Sequence, residues 1–146
     1  MTDKMLSRKE GGVGIVTFNN PERLNAVSLD MWEATKRILD DFAADNDIRV
    51  VVVTGAGGKA FVSGADISKF EDERASPAGV ARYNAAASVV YERLEAFPRP
   101  TVAVIEGVCV GGGVNLAVAC DLRVCNDDAR FGVTAARLGG FAIGQG

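Results

Sequence analysis

The sequence predicts a single α/β domain built on parallel strands. Three observations carry this. Short β-branched runs bounded by turn residues recur along the chain, segments with helical periodicity separate them, and no internal repeat, low-complexity tract or linker divides the 146 residues.

In chain order, GIVTFN (14–19) and RVVVVTG (49–55) read as parallel strands. The second is apolar without alternation, as expected of a strand covered on both faces. Between them, SLDMWEATKRILDDFAADN (28–46) reads as a helix, with Ser28 as N-cap, Asp30 in the first turn, and Leu29, Trp32, Leu39 and Phe42 along one face. A second helix spans GVARYNAAASVVYERLEAF (79–97), aligning Val80, Tyr83, Ala87, Val90, Tyr91 and Leu94 as a core face, and Pro98 and Pro100 end it. TVAVIEG (101–107) is the next buried strand. A short helix from about Gly113 to Ala119 and a strand DLRVC (121–125) follow.

Hydrophobic content of 48%, charged content of 24% and 4 prolines are those of an ordinary folded protein, but 17 glycines in 146 residues exceed the usual ~7%. The formal net charge of -3 argues against a broad nucleic-acid surface. No apolar run reaches the ~18 residues of a membrane span, and the polar start MTDKMLSRKEGG is unlike a signal peptide, so a cytoplasmic protein without membrane partners is expected. Cys109, Cys120 and Cys125 lie in apolar surroundings without CxxC spacing and are expected as buried free thiols. The absence of histidine excludes Ser-His-Asp and Cys-His machinery, His-ligated zinc and imidazole acid–base work. No metal and no separate cofactor is expected; any catalysis must rest on carboxylates or backbone.

Two glycine-containing loops follow strands: TGAGGKAFVSGADI and EGVCVGGGVNLAV. Neither is a P-loop, because Val53 stands five residues before Gly58 and Ala60 follows Lys59. Gly55, Gly57 and Ala60 satisfy the dinucleotide pattern GxGxx(G/A), but FVSGADIS places a β-branched residue and a glycine where that motif requires a helix. Both loops instead combine a strand end, glycine and a turn or helix start, which leaves amide N–H groups without backbone partners. At the start of the Gly113 helix the macrodipole adds about half a positive charge, so an oxygen there is stabilised as it becomes anionic. Two such donors, one from each loop, would form an oxyanion hole. The alternative for each loop taken singly stays open: GGG lets the helix pack tightly against a strand, and GAD is an ordinary turn.

NNPERLNAVS, KAFVSGADISKF, PRPTVAVIEGVCVGGGVNLAVACDLRV and ARFG, in that order, resemble the crotonase, or enoyl-CoA hydratase/isomerase, superfamily over nearly the whole chain. The resemblance implies a spiral of ββα units that binds acyl-CoA thioesters and stabilises their enolate with two backbone N–H groups, here Ala65 and Gly112. It further implies that Ser63 and the segment Ala65, Asp66, Ile67 and Ser68 line the CoA site, with Arg23, Leu24 and Ala26 near the pantetheine and adenine end. Lys59 and Lys69 are candidate partners for CoA phosphates. CoA enters as part of the substrate, and the family resemblance implies a homotrimer or hexamer.

The departures are specific. Family hydratases carry one glutamate three residues after the middle glycine and a second three positions after FG; here Asn115 and Ala135 stand there. Neither an amide nor a methyl holds and releases a proton, so the usual two-glutamate hydration is not supplied. Asn115 can orient a water or hydrogen-bond a substrate carbonyl, and Asp66, Asp72 and Glu73 are the nearest acids in sequence. Asp66 is expected to hold its turn together, Asp121 to stabilise the start of its strand, and Glu106 to be structural. Relatives are nearly twice as long, and the tail LGGFAIGQG follows the family pattern only loosely. The expectation is therefore a crotonase-like acyl-CoA-binding core over 1–146, incomplete at its C-terminus and ending before the helices that complete the acyl pocket. An enoyl-CoA hydratase/isomerase family enzyme of the lyase/isomerase type is the leading reading. A non-catalytic CoA-ester binding or assembly module, or an inactive fragment, is the alternative.

Overall fold

The computed structural model describes residues 2–66 and 76–133. Its first two strands, β1 (Met5–Glu10) and β2 (Val13–Phe18), form an antiparallel hairpin in which Met5 pairs with Phe18 and Glu10 with Val13. The polar N-terminal stretch is thus a strand that the sequence reading did not include. It lies at the sheet edge, only Met5 is buried, and solvated side chains give it no apolar alternation. The Gly11–Gly12 pair, at φ of 55° and 88°, closes the loop as a two-residue hairpin turn requires.

After β2, helix α1 (Leu29–Ala44) starts at Ser28, as expected, and leads to β3 (Val50–Gly55) and the three-residue β4 (Ala60–Val62). Helix α2 (Pro77–Glu95) begins two residues earlier than its sequence pattern suggested, because the Ser76 hydroxyl accepts from Gly79 N–H at 3.0 Å. Strands β5 (Thr101–Ile105) and β6 (Val108–Val110) lead into α3 (Gly112–Ala119), and β7 (Leu122–Cys125) and β8 (Arg130–Gly132) follow.

The longer strands form one sheet in the order β1-β2-β3-β5-β7, parallel from β2 onward; the short ones form a second, β4-β6-β8, wholly parallel. The units β3-β4-α2 and β5-β6-α3 are therefore each one long strand, one short strand and a helix. The chain has the expected crotonase-like spiral of ββα units, although no sequence repeat marks it. The sequence pattern places β4 and β6 inside the two glycine loops and marks no element at β8, since three residues are too few to show a period.

The core joins Val16, Phe18, Val51, Val53, Ala103 and Ile105 of the larger sheet to Trp32, Leu39 and Phe42 of α1, Tyr83, Val90 and Leu94 of α2, and Leu116 of α3. Strand β3 departs from the expectation that both its faces are covered. Val51 and Val53 are buried, whereas Val50 and Val52 are half-buried, because only the first pair faces the helices. Two arginines close helix C-termini. Arg99 donates to the carbonyls of Phe42 (2.9 Å), Ala43 (2.7 Å), Asp45 (2.7 Å) and Ile48 (2.5 Å), and Arg123 to those of Ala117 (2.9 Å) and Cys120 (2.8 Å). Asp121 accepts from the Thr101 N–H at 2.9 Å and so ties the starts of β5 and β7, the role expected of it. Among the described residues no helix is long and apolar enough to cross a membrane.

Cys109 and Cys120 are buried, but Cys125 is exposed at the end of edge strand β7, which corrects the expectation of three buried thiols. Burial pushes the Cys109 thiol up to about 12 and the Cys120 thiol up to about 11. In the unfolded chain both ionise near ~8.5. Above that pH the unfolded form gives up protons that the folded form keeps, so stability is intact below pH ~8.5 and declines as pH rises toward the folded values. Urea unfolding between pH 7 and 10 should show a decline of up to about 1.4 kcal/mol per pH unit for each thiol, absent from a Cys109→Ala, Cys120→Ala double variant. Equal profiles for the two proteins would contradict this.

Candidate active site

Three segments meet beside β4. The first is the loop 20–27, which contains a single 3-10 turn at Pro21–Arg23 and carries Leu24 and Asn25 at φ of 53° and 56°. Such left-handed backbone is uncommon outside glycine and persists only where surroundings enforce it. Here the enforcement is visible. Asn25 Nδ2 donates to Ala56 O (2.9 Å) and Ala60 O (2.8 Å), while its Oδ1 accepts from Asn20 N–H at 2.8 Å. Asn20 Nδ2 donates to Ala26 O (2.8 Å) and to Asp66 Oδ2 (3.1 Å). Asp66, 3% exposed, thus locks the turn to the preceding loop.

The second segment is Ser63–Asp66. Val27 N–H donates to Gly64 O at 2.8 Å and Asp66 N–H to Val27 O at 3.0 Å, forming an isolated parallel bridge. Gly64 C=O and Asp66 N–H face Val27, so the intervening Ala65 N–H points away from it. It has no acceptor among the described residues. Tyr83 Oη donates to Val27 O at 2.6 Å and fixes the bridge from α2.

The third segment is the glycine triplet, whose members differ in what they require. Gly111 is the N-cap of α3 at φ 54° and ψ -120°, a conformation open to glycine but not to bulkier residues. Gly113 packs against β4 so closely that a Cβ would overlap the carbonyl oxygen of Val62. The tight-packing alternative therefore holds for this glycine. Gly112 lies between them, half-buried, as the first residue of α3, and its N–H has no acceptor within the helix or elsewhere among the described residues. A Cβ there would lie 3.2 Å from Tyr91 Oη and 3.5 Å from Trp32 Cζ2.

Asn115, exposed one turn into α3, lies near the Tyr91 hydroxyl. Burial raises the Tyr91 phenol above its usual value, with the Asn115 contact opposing, so Tyr91 keeps its proton at neutral pH. Tyr91 meets the Trp32 ring edge-on, with centroids 5.5 Å apart, and Trp32 in turn meets Phe18 at 6.0 Å. Trp32 Nε1 is buried and has no hydrogen-bond partner among the described residues.

Of the residues singled out in the sequence, Arg23, Leu24, Ala26, Ser63, Ala65 and Asp66 come together through the bridge and the asparagine network. Ser63 Oγ reaches the Arg23 carbonyl at 3.5 Å, and Leu24 projects into solvent at 42% exposure. Gly112 and Asn115 adjoin them through the contact of Gly113 with Val62. Lys59 stands exposed at the opposite end of β4 from Ser63, about 13 Å away along the strand. Ile67, Ser68, Lys69, Asp72, Glu73 and Ala135 lie outside the described residues. Sequence reasoning passed over Asn20, Asn25, Tyr83 and Tyr91: the two tyrosines fit a core helical face, and only the Asn-Pro step and the second asparagine of NNPERLN hinted at a side-chain-locked turn.

The two-sheet ββα spiral with its paired loops defines a crotonase-fold protein. A family model for enoyl-CoA hydratase/isomerase matches residues 8–146, and the chain belongs to that family. It is 34% identical over 137 residues to a short-chain-enoyl-CoA hydratase of Clostridium acetobutylicum, covering 94% of this chain and 52% of that one. A mitochondrial Delta(3,5)-Delta(2,4)-dienoyl-CoA isomerase of Mus musculus is 36% identical over 133 residues, covering 85% and 40% respectively. The crystal structure of an enoyl-CoA hydratase/carnithine racemase from Magnetospirillum magneticum superposes with a TM-score of 0.89 at 36% identity, covering 98% of this chain and 54% of that one. The chain thus spans about half the length of the relatives it matches, or less.

Gly112 and Gly113 should respond differently to a methyl group. Gly113→Ala forces backbone apart and is expected to cost about 1–3 kcal/mol more in urea unfolding than Gly112→Ala, whose Cβ meets only a hydroxyl and a ring edge able to give slightly. Equal losses would refute the close approach to β4.

Proposed function

We propose that this chain acts on acyl-CoA thioesters by stabilising an enolate, with the N–H groups of Ala65 and Gly112 as the two donors to the thioester oxygen. The observation that supports this reading best is that these two amides, on adjoining segments, both lack acceptors among the described residues. The thioester oxygen gains charge as the α-proton leaves, and fixed donors stabilise that charge more than they stabilise the ground state. The start of α3 adds its share of the helix dipole. Arg23, Leu24, Ala26, Ser63 and Asp66 form the wall along which the CoA moiety runs, with Ile67 and Ser68 continuing it and Lys59 toward the phosphates.

The proton chemistry is not the usual pair of glutamates. Asn115, beside Tyr91, orients a water or a substrate oxygen rather than carrying a proton. An isomerase, hydrolase or decarboxylase reaction fits this residue better than hydration. The same substitution is what favours the second reading, a CoA-ester binding module without chemistry. Assaying a panel of enoyl- and acyl-CoA esters beside calorimetric binding separates the two: binding without turnover on any ester selects the module.

Proline at position 112 is compatible with the first turn of a helix but removes the N–H. Gly112→Pro, checked for folding by circular dichroism, is expected to lower kcat by about 10²–10³ on a thioester that the wild type turns over. Unchanged turnover in the folded variant would remove Gly112 from the mechanism.

A further inference from the structure

The Ala65 amide is aimed by the peptide plane it belongs to. Gly64 C=O and Ala65 N–H share one trans peptide and point in opposite directions, so the bond from Val27 N–H to Gly64 O at 2.8 Å fixes the direction of the Ala65 donor. Gly64 stands at φ 116°, where glycine turns freely, and the aim therefore depends on the anchor. Val27, fully buried, is held in turn through its carbonyl, which accepts from Asp66 N–H at 3.0 Å and from Tyr83 Oη at 2.6 Å. These two donors occupy both lone pairs of that oxygen.

The second of those donors comes from a different element. Tyr83 lies buried on α2, and about 12 Å further along the same helix Tyr91 sets its Oη 3.2 Å from where a Cβ would stand on Gly112. Helix α2 also packs against α3, which Gly112 opens. One helix thus meets both donor segments, with a hydrogen bond at the first and a phenol beside the second. The apolar contacts of α2 are non-directional, whereas the Tyr83 bond fixes a distance and an angle. We propose that Tyr83 is a positioning residue for the thioester site: acting through Val27, its hydroxyl sets where the Ala65 N–H stands relative to the Gly112 N–H. Tyr83 touches no reacting atom in this role, which rests on the acyl-CoA reading given above.

Tyr83→Phe removes one oxygen, keeps the ring in the core and leaves Val27 O bonded to Asp66 N–H. The probe is butyryl-CoA isotopically labelled at the thioester carbon, because hydrogen bonds to the carbonyl oxygen lower its stretching frequency and infrared difference spectra isolate that band. The wild type is expected to lower the band on binding, and folded Tyr83→Phe to lose most of that shift while binding the ester within about threefold of wild type. On an ester that the wild type turns over, kcat should fall about five- to tenfold with KM nearly unchanged, as for the loss of one hydrogen bond. Val90→Ala, a truncation in the buried face of the same helix, should lower stability but leave the band and kcat of the folded protein as in wild type. An equal band shift in wild type and Tyr83→Phe, the same loss in Val90→Ala, or a Tyr83→Phe chain that does not fold overturns the positioning role and leaves the acyl-CoA reading standing. A wild type that binds neither butyryl-CoA nor CoA, or that binds the ester without moving the band, overturns that reading and the inference with it.

Discussion

Strand β4 is three residues long, fully buried, and approached on several sides by backbone that carries no side chain. A Cβ on Gly55 would overlap the carbonyls of Ala60 and Phe61, one on Gly107 the carbonyl of Lys59, and one on Gly113 that of Val62. These close approaches let β3, β6 and α3 pack against one short strand. Because β4 leads directly into Ser63–Asp66, and Gly113 sits within the triplet, the same packing sets the two glycine loops side by side. The geometry of the candidate site is thus a consequence of how tightly the two sheets and α3 close.

Rigidity on the other side comes from amides rather than from apolar packing. Asn20 and Asn25 spend their side chains on backbone and on Asp66, holding two consecutive residues in left-handed conformation. Such strain persists because five buried or half-buried hydrogen bonds act on one loop. Tyr83 adds a sixth bond from α2.

On the proposed reading, binding geometry and proton chemistry fall to different groups of this chain. The free amides and the locked loop belong to the backbone and to buried polar residues, whereas the position that would carry a proton holds Asn115, beside a phenol that burial keeps protonated. A neutral Trp32–Tyr91–Asn115 cluster can orient oxygen atoms and exclude charge. It cannot act as a general base.

Much of this was legible in the residues alone. Long elements announce themselves by period, so α1, α2, β2, β3 and β5 could be placed, and the paired glycine loops marked where bare amides were needed. Three-residue strands carry no period, and a solvated edge strand such as β1 carries no apolar face, so neither could be read except through the Gly-Gly turn. Different glycines in the triplet answer to different demands. Gly111 needs its backbone conformation and Gly113 needs the space, while Gly112 is left presenting its amide. What the sequence determined is which residue types stand where: glycine, amide and aromatic groups without a histidine. Only the tertiary structure decided that Tyr91 and Trp32, core residues by helical spacing, set a hydroxyl and the carbon edge of an indole beside Gly112, because that depends on which edge of a ring faces a helix brought in from 80 residues away.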